Sequence, residues 1–369
     1  MVKDLGYVAS IILGEMKELY DAGVRIYNFQ DDNFYLPSKE KAFKRFQSLK
    51  KGLLDSNVED IAIAIKARPD SITRESVEIL DELGLFRVFL GVENASENGL
   101  RNLNRKSSTR EAPQALDILN DFDIHIAYNL LMFEPETTMD DILLNLRFME
   151  RHIINPFNFC RAEVHVGTGL ETKLKNEKLL HGNYFQPDYR IKDPESEAFH
   201  QIANYAFFDR NFSDDGLHYF TMQVDFTFQL LRRFYPDLLT ESLLSEVKSL
   251  IKEANIDTYQ CLTKIYDYVD SSDPGNQLAI MNFAKEMRGL VDNRGAPLHK
   301  WGENILNKLH QTFNLYQEDL TSNLVDDSSN LMVDNLFSLS EADIFGLTPT
   351  PITYKTFKTQ LTRDIWERR

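Results

Sequence analysis

The feature that most constrains this chain is an alternation. Over roughly the first 170 residues, amphipathic helical spacing and short apolar runs succeed one another five times in the same order. "ASIILGEMKELYDAG" sets Ile12, Met16, Leu19 and Tyr20 on one helical face, stops at Gly23, and is followed by "VRIYNFQ". "SKEKAFKRFQSLKKGLLDS", opened by Ser38, leads to "DIAIAIKA", and "TRESVEILDELGL", begun by Thr73, leads to "FRVFLGVE". "STREAPQALDILNDFD" precedes "IHIAYNLLMF", and "TMDDILLNLRFMERH" precedes "FNFCRAEVHV". A helix between every two strands implies parallel pairing through right-handed crossovers.

Barrels and open doubly wound sheets share this pattern. No GxGxxG or GxxxxGK[ST] follows any strand, which removes the usual nucleotide-binding reason for an open sheet. The expectation is therefore an α/β fold with a complete or partial parallel barrel, whose chemistry gathers at the C-terminal strand ends. Those ends read Asp31-Asp32, Arg68-Pro69-Asp70, Glu93-Asn94, Glu134-Pro135-Glu136 and Gly167-Thr168-Gly169. Beyond residue 175 the alternation ceases. The expected organisation is a barrel over 1–175, a proline-punctuated connecting or covering segment over 176–215, an all-α domain over 216–320 and a partly irregular tail over 321–369.

A net charge of −16 argues against a nucleic-acid or anionic-membrane surface, and no apolar run reaches a membrane span. The two cysteines, Cys160 and Cys261, make no disulfide framework and fit a reducing, cytoplasmic compartment. His125, His152, His181, His200 and His218 have no paired metal-ligand spacing, so no metal is assigned to them.

In order and spacing, "IYNFQDDNF", "IAIAIKARPDSITRESVEILDELGLFRVFLGVENASENGLRNLNRKSS", "YNLLMFEPETTMDDI" and "VHVGTGLETKL" resemble the second to sixth strands of the radical SAM superfamily, specifically the B12-binding type. The resemblance runs from about residue 10 to residue 175. It implies a partial parallel barrel that binds S-adenosylmethionine across its strand ends, a [4Fe-4S] cluster that cleaves it to a radical, and cobalamin in the full-length family. The family's cluster hangs on CxxxCxxC, and this sequence contains no such motif. The expectation drawn from this is a truncated or split product, inactive alone, with the cluster loop and cobalamin segment on a complementing N-terminal chain, or else a degenerate relative.

The resemblance gives Asp31 and Asp32 a cation, the ammonium of S-adenosylmethionine; a solvated loop is the competing reading. Alternation from Asn28 and Gln30 favours Asp32. Arg68 suits a carboxylate, or a salt bridge to Asp70. By resemblance Glu93 and Asn94 suit the ribose or the methionine end, or else cap the helix near Ser96. Phe133 stands in the stretch where the family has a glycine, and offers a ring to adenine, while Thr137 or Thr138 makes an ordinary N-cap. Arg161, Glu163 and His165 alternate and so share a strand face, either as a site or with Arg161 and Glu163 as an internal pair; Cys160 falls on the other face, as core. The substrate, a small molecule or a peptide, is not legible. Two other readings stand beside this one: a Mg²⁺-dependent barrel lyase or hydrolase using Asp31, Asp32, Glu93 and Glu163, and a non-catalytic scaffold on a decayed barrel.

Overall fold

The structure, a computed structural model, describes residues 5–183 and 185–323. Helix α1 (Leu5–Asp21) leads into β1 (Ile26–Asn28), then α2 (Lys39–Asp55) and β2 (Ala62–Ala67). Next come α3 (Arg74–Glu82), β3 (Leu85–Glu93), α4 (Glu97–Asn102), α5 (Glu111–Leu119) and β4 (His125–Phe133). After α6 (Met139–Arg151), β5 (Phe157–Arg161) completes a sheet of order β1-β2-β3-β4-β5, parallel throughout. The expected α/β partial parallel barrel with a helical C-terminal part is the fold observed.

Local chemistry starts the helices where the sequence places them. Ser38 caps α2, Thr73 and Ser76 form a reciprocal capping box on α3, and Thr138 and Asp141 do the same for α6. One sheet face is sealed by these helices: Ile63, Ile65, Val88, Leu90, Ile126 and Leu130 pack with Phe46, Leu80, Leu116 and Ile142 in one core.

The family's sixth strand is β5, which is shorter than the run "FNFCRAEVHV" suggests. The chain leaves the sheet after Arg161, and "GTGLETKL" builds α7 (Gly169–Asn176), capped by Thr168. A two-residue hairpin, β6 (His181–Gly182) with β7 (Pro187–Asp188), follows. Tyr189 then lies across the C-terminal strand ends, its hydroxyl donating to the carbonyls of Phe133 (3.1 Å) and Ala162 (2.8 Å).

Four long helices complete the described chain: α8 (Pro194–Phe212), α9 (Leu217–Phe234), α10 (Glu241–Asp270) and α11 (Gln277–Asn323). Helix α8 begins inside the stretch expected as connection, because Asp193 caps it and Pro194 occupies its first turn. It flanks β5. The Asn211 side chain donates to Phe159 O (3.0 Å), and Asn158 donates back to Asn211 O (3.1 Å), so amide groups satisfy an edge that a further strand would otherwise pair. The tail beyond Asn323 lies outside the described residues.

Helix α9 lies on the second face of the sheet. Phe226 and Leu230 pack on Ala62, Ala64 and Phe86, and the small alanines let the helix approach. Burial of such side chains contributes about 1.5–3 kcal/mol each. This covers the N-terminal half of that face and leaves the C-terminal half open.

Candidate functional site

Burial along the strands reads out the open half. In β3, Arg87 is buried, then Phe89, Gly91 and Glu93 are half-exposed while Val88, Leu90 and Val92 stay buried. In β4 the same alternation exposes Asn129 and Leu131; Asn28, Lys66 and Cys160 supply the matching positions of β1, β2 and β5. Strand period alone puts these residues on one face. Together they form a patch across all five strands, polar at Asn28, Lys66, Glu93 and Asn129 and apolar at Phe89 and Leu131.

Two irregularities of register fall at this rim, between Leu90 and Glu93 in β3 and between Leu131 and Phe133 in β4. Such bulges re-aim side chains at the end of a strand. Glu93 takes a left-handed backbone, φ 66°, and its carboxylate turns back over Gly91, whose missing side chain leaves it room. Arg105 Nη2 donates to Glu93 Oε1 at 2.7 Å. Burial raises the Glu93 pKa, with Arg105 and Arg68 opposing the rise.

The other sequence-derived candidates are dispersed. Asp31 and Asp32 are exposed on a loop: Phe29 N still pairs with Ala64 O, the chain departs, and Phe34 N returns to Lys66 O. Strand alternation therefore ends before Asp32, and it no longer prefers that residue over Asp31. Arg68 holds Asp70 in a two-pronged pair, 2.9 Å at each contact, and this bond raises the guanidinium pKa. The salt-bridge reading of Arg68 is the one observed.

Asn94 is buried and fully engaged. It donates to Leu131 O (3.0 Å) and accepts from Ser96 N–H (2.9 Å) and from Asn145 (3.0 Å), so it ties the β3–α4 turn to α6 rather than facing the patch. Phe133 is buried as well, 5.9 Å from the Phe199 ring and 5.0 Å from that of His200.

Arg161, Glu163 and His165 do not share a strand face, because β5 ends at Arg161. Glu163 and His165 are exposed on the following loop, and Arg161 pairs with Asp188, donates to Tyr189 O (2.8 Å) and lies over the Tyr189 ring. Cys160, read as core, lies on the open face instead, with burial pushing its thiol pKa up to about 12. Sequence reasoning missed Lys66 and Asn129 as well. The signal was present: each is a polar residue at an alternate position of an otherwise apolar strand.

The four carboxylates of the Mg²⁺ reading are not brought together. Asp31 and Asp32 lie on an exposed loop, Glu93 ends β3 and Glu163 lies past the end of β5. Among the described residues no group of three or more His, Cys, Asp or Glu is placed to hold a metal ion.

Residues 8–149 match the model of the radical SAM superfamily. Over 209 residues the chain is 22% identical to an uncharacterised methyltransferase of Pyrococcus horikoshii, covering 55% of this chain and 44% of that protein. The fold is similar to that of the cobalamin-dependent S-adenosylmethionine radical enzyme OxsB solved with aqua-cobalamin and S-adenosylmethionine bound. That match has a TM-score of 0.52 and 16% identity, and covers 93% of this chain and 55% of OxsB. The chain thus spans about half the length of these relatives. Among the described residues no helix is long and apolar enough to cross a membrane.

Proposed function

We propose that the chain is the S-adenosylmethionine-binding body of a radical SAM enzyme of the cobalamin-dependent kind. The observation that carries this reading is the half-exposed row across the C-terminal half of the five strands, polar and apolar in alternation, above a floor closed by α9. S-adenosylmethionine carries a carboxylate, an ammonium, a sulfonium and an adenine ring. Lys66 suits the carboxylate, Glu93 and either aspartate of the Asp31–Asp32 loop suit the ammonium, and Phe89 offers the adenine an apolar face. Cobalamin dependence rests on the likeness of fold to OxsB and has no residue assigned to it here.

The residues of this chain do not fit the superfamily's iron-sulfur cluster. Three thiolates are needed, and the sequence has two cysteines, one on β5 and one buried in α10. Any cluster working at this patch is then held by residues outside these 369, on a complementing segment or chain, and the chain by itself is inactive in radical chemistry. The cytoplasm, where thiols stay reduced, is the compartment that accords with this.

Isothermal titration tests the binding claim without any turnover. S-adenosylmethionine should bind the chain saturably, and Asp31→Asn or Asp32→Asn should weaken it by roughly tenfold to a hundredfold, the scale of one charge-assisted bond. Absence of binding by the wild-type chain, with and without an added partner segment, sinks the reading. Thermal stabilisation by Mg²⁺ in place of S-adenosylmethionine would revive the lyase or hydrolase alternative.

A further inference from the structure

The two edges of the five-stranded sheet are finished differently. At β5, Asn158 and Asn211 donate to main-chain carbonyls across the gap, and α8 fills that edge. At the other side, β1 has β2 as its one strand neighbour among the described residues. Ala62 N donates to Arg25 O (2.8 Å) and Phe29 N to Ala64 O (3.0 Å), so alternate residues of β1 aim their main-chain groups at β2. Ile26, between them, turns its own N–H and C=O the other way. Such an edge is a template for a further strand.

Apolar surface is left uncovered on both faces beside that edge. Helix α2, the crossover from β1 to β2, covers those two strands and fully buries Ala42, Phe46, Leu49 and Leu53. Helix α1 packs along α2 and so stands over β1 and the space beyond it. Ile11 there is 43% exposed, and Ile12, Leu13, Leu19 and Tyr20 are only half-buried. On the opposite face Ile26, Phe234 and Tyr235 are likewise only partly buried. A strand with apolar side chains on both its faces would cover both.

The chain itself carries a segment of that kind. Residues 352–361, outside the described residues, read "ITYKTFKTQL", rich in β-branched and aromatic side chains and preceded by Pro349 and Pro351. Strand period sets Ile352 and Tyr354 on one face, Phe357 and Leu361 on the other. The segment is also within reach. Helix α11 ends at Asn323, and its Phe313 ring lies 5.2 Å from that of Tyr235, which packs in the same cluster as Ile26. Residues 324–351, fully extended, span roughly 90 Å. Charge selects a direction: Asp31 and Asp32 stand exposed just past β1, and a strand parallel to β1 carries Lys358 and Arg363 toward them. An antiparallel one carries the same cations toward Arg25.

We propose that residues 352–361 add to the free edge of β1 as a further parallel strand of the same chain. Tethering gives the segment an effective concentration on the order of 1 mM at that edge, above that of a second copy in dilute solution. Docked there, it covers the apolar surface of α1 and decides whether any other chain can pair with the sheet. The inference does not depend on the function proposed above.

Amide hydrogen exchange of the full chain, read by mass spectrometry over residues 24–30 and 352–361, is the test. Both stretches should exchange about tenfold more slowly than in Thr356→Pro, which removes a donor from the middle of the added strand. Unchanged exchange in β3 and β4 shows that the variant keeps its fold. A peptide of residues 349–363, added to Thr356→Pro at about 1 mM, should restore the protection of 24–30. Lys358→Glu, which brings a third carboxylate to Asp31 and Asp32, should lower it. Protection should be the same over about a fiftyfold range of protein concentration. Exchange of 352–361 at the rate of a free peptide overturns the proposal, as does protection of 24–30 that ignores Thr356→Pro. Protection that appears only together with a dimer in light scattering gives the edge to a second copy and overturns it too.

Discussion

His125 Nδ1 lies 2.5 Å from Asp225 Oδ2, and this buried contact fastens α9 to β4 at the closed half of the sheet face. Arg87, wholly buried, is the register partner of His125 on β3, and the Phe226 ring meets the imidazole edge-on at 6.0 Å. The floor of the site is therefore a polar joint between sheet and helical part. Removing one member of a buried pair leaves the other desolvated, at a cost of about 3–5 kcal/mol. Asp225→Ala should lower stability by that amount in denaturant unfolding. Replacing both residues by apolar ones of similar size should cost less than the single change. A loss under about 1 kcal/mol for Asp225→Ala would show the joint to be dispensable.

At the open half, Gly91 and Glu93 are coupled by space. A Cβ built on Gly91 would sit 2.9 Å from Glu93 Oε1. The obstacle is the far end of a side chain, so Gly91→Ala should change stability by less than about 1 kcal/mol, while displacing the carboxylate from its place beside Arg105. Titration with S-adenosylmethionine should then report about a tenfold loss, with the melting temperature nearly unchanged. Large destabilisation with intact binding would mean that Glu93 serves the fold rather than the ligand.

The parallel order of the strands and most helix starts were legible because each rests on a local rule: period for β2 to β5, and caps at Ser38, Thr73 and Thr138. The resemblance of "IYNFQDDNF" and its successors added the barrel type. Three features were out of reach. The end of β5 at Arg161 is decided by α8 and Tyr189, which arrive from later in the chain to satisfy Phe159 O, Phe133 O and Ala162 O. The loop that carries Asp31 and Asp32 out of the sheet depends on where Phe34 rejoins β2. The open patch itself is defined by where α9 stops covering the sheet, and no strand sequence records that.

Anaerobic reconstitution with iron and sulfide should leave this chain without a stable [4Fe-4S] cluster. Cys261 is buried in α10 with its thiol pKa pushed up to about 11, and Cys160 is raised further, so neither is a ready thiolate at pH 7. Among the described residues, no third ligand is brought to them. Absorbance and the reduced-state EPR signal are the readouts. Four irons per chain with the signal of a [4Fe-4S]⁺ state would defeat the expectation.

His200 should impose a pH dependence of its own. Its pKa falls from the ordinary 6.5 to about 4 on folding, chiefly through burial, with Arg161 adding to the shift and Asp188 opposing it. The unfolded chain then binds a proton that the folded chain refuses between pH 6.5 and about 4. Stability contributed by the neutral imidazole is thus fully present above pH 6.5 and lost as pH falls through that window. Its slope approaches about 1.4 kcal/mol per pH unit in the middle of the window. The ionised carboxylates elsewhere also lose stability on acidification, so the diagnostic quantity is the difference between wild type and His200→Phe. That difference should shift against wild type as pH drops from 7 to 5, followed by urea unfolding at fixed ionic strength. Parallel stability curves for the two proteins would show that His200 titrates alike folded and unfolded, and that burial in the β5–α8 wall does not hold it neutral.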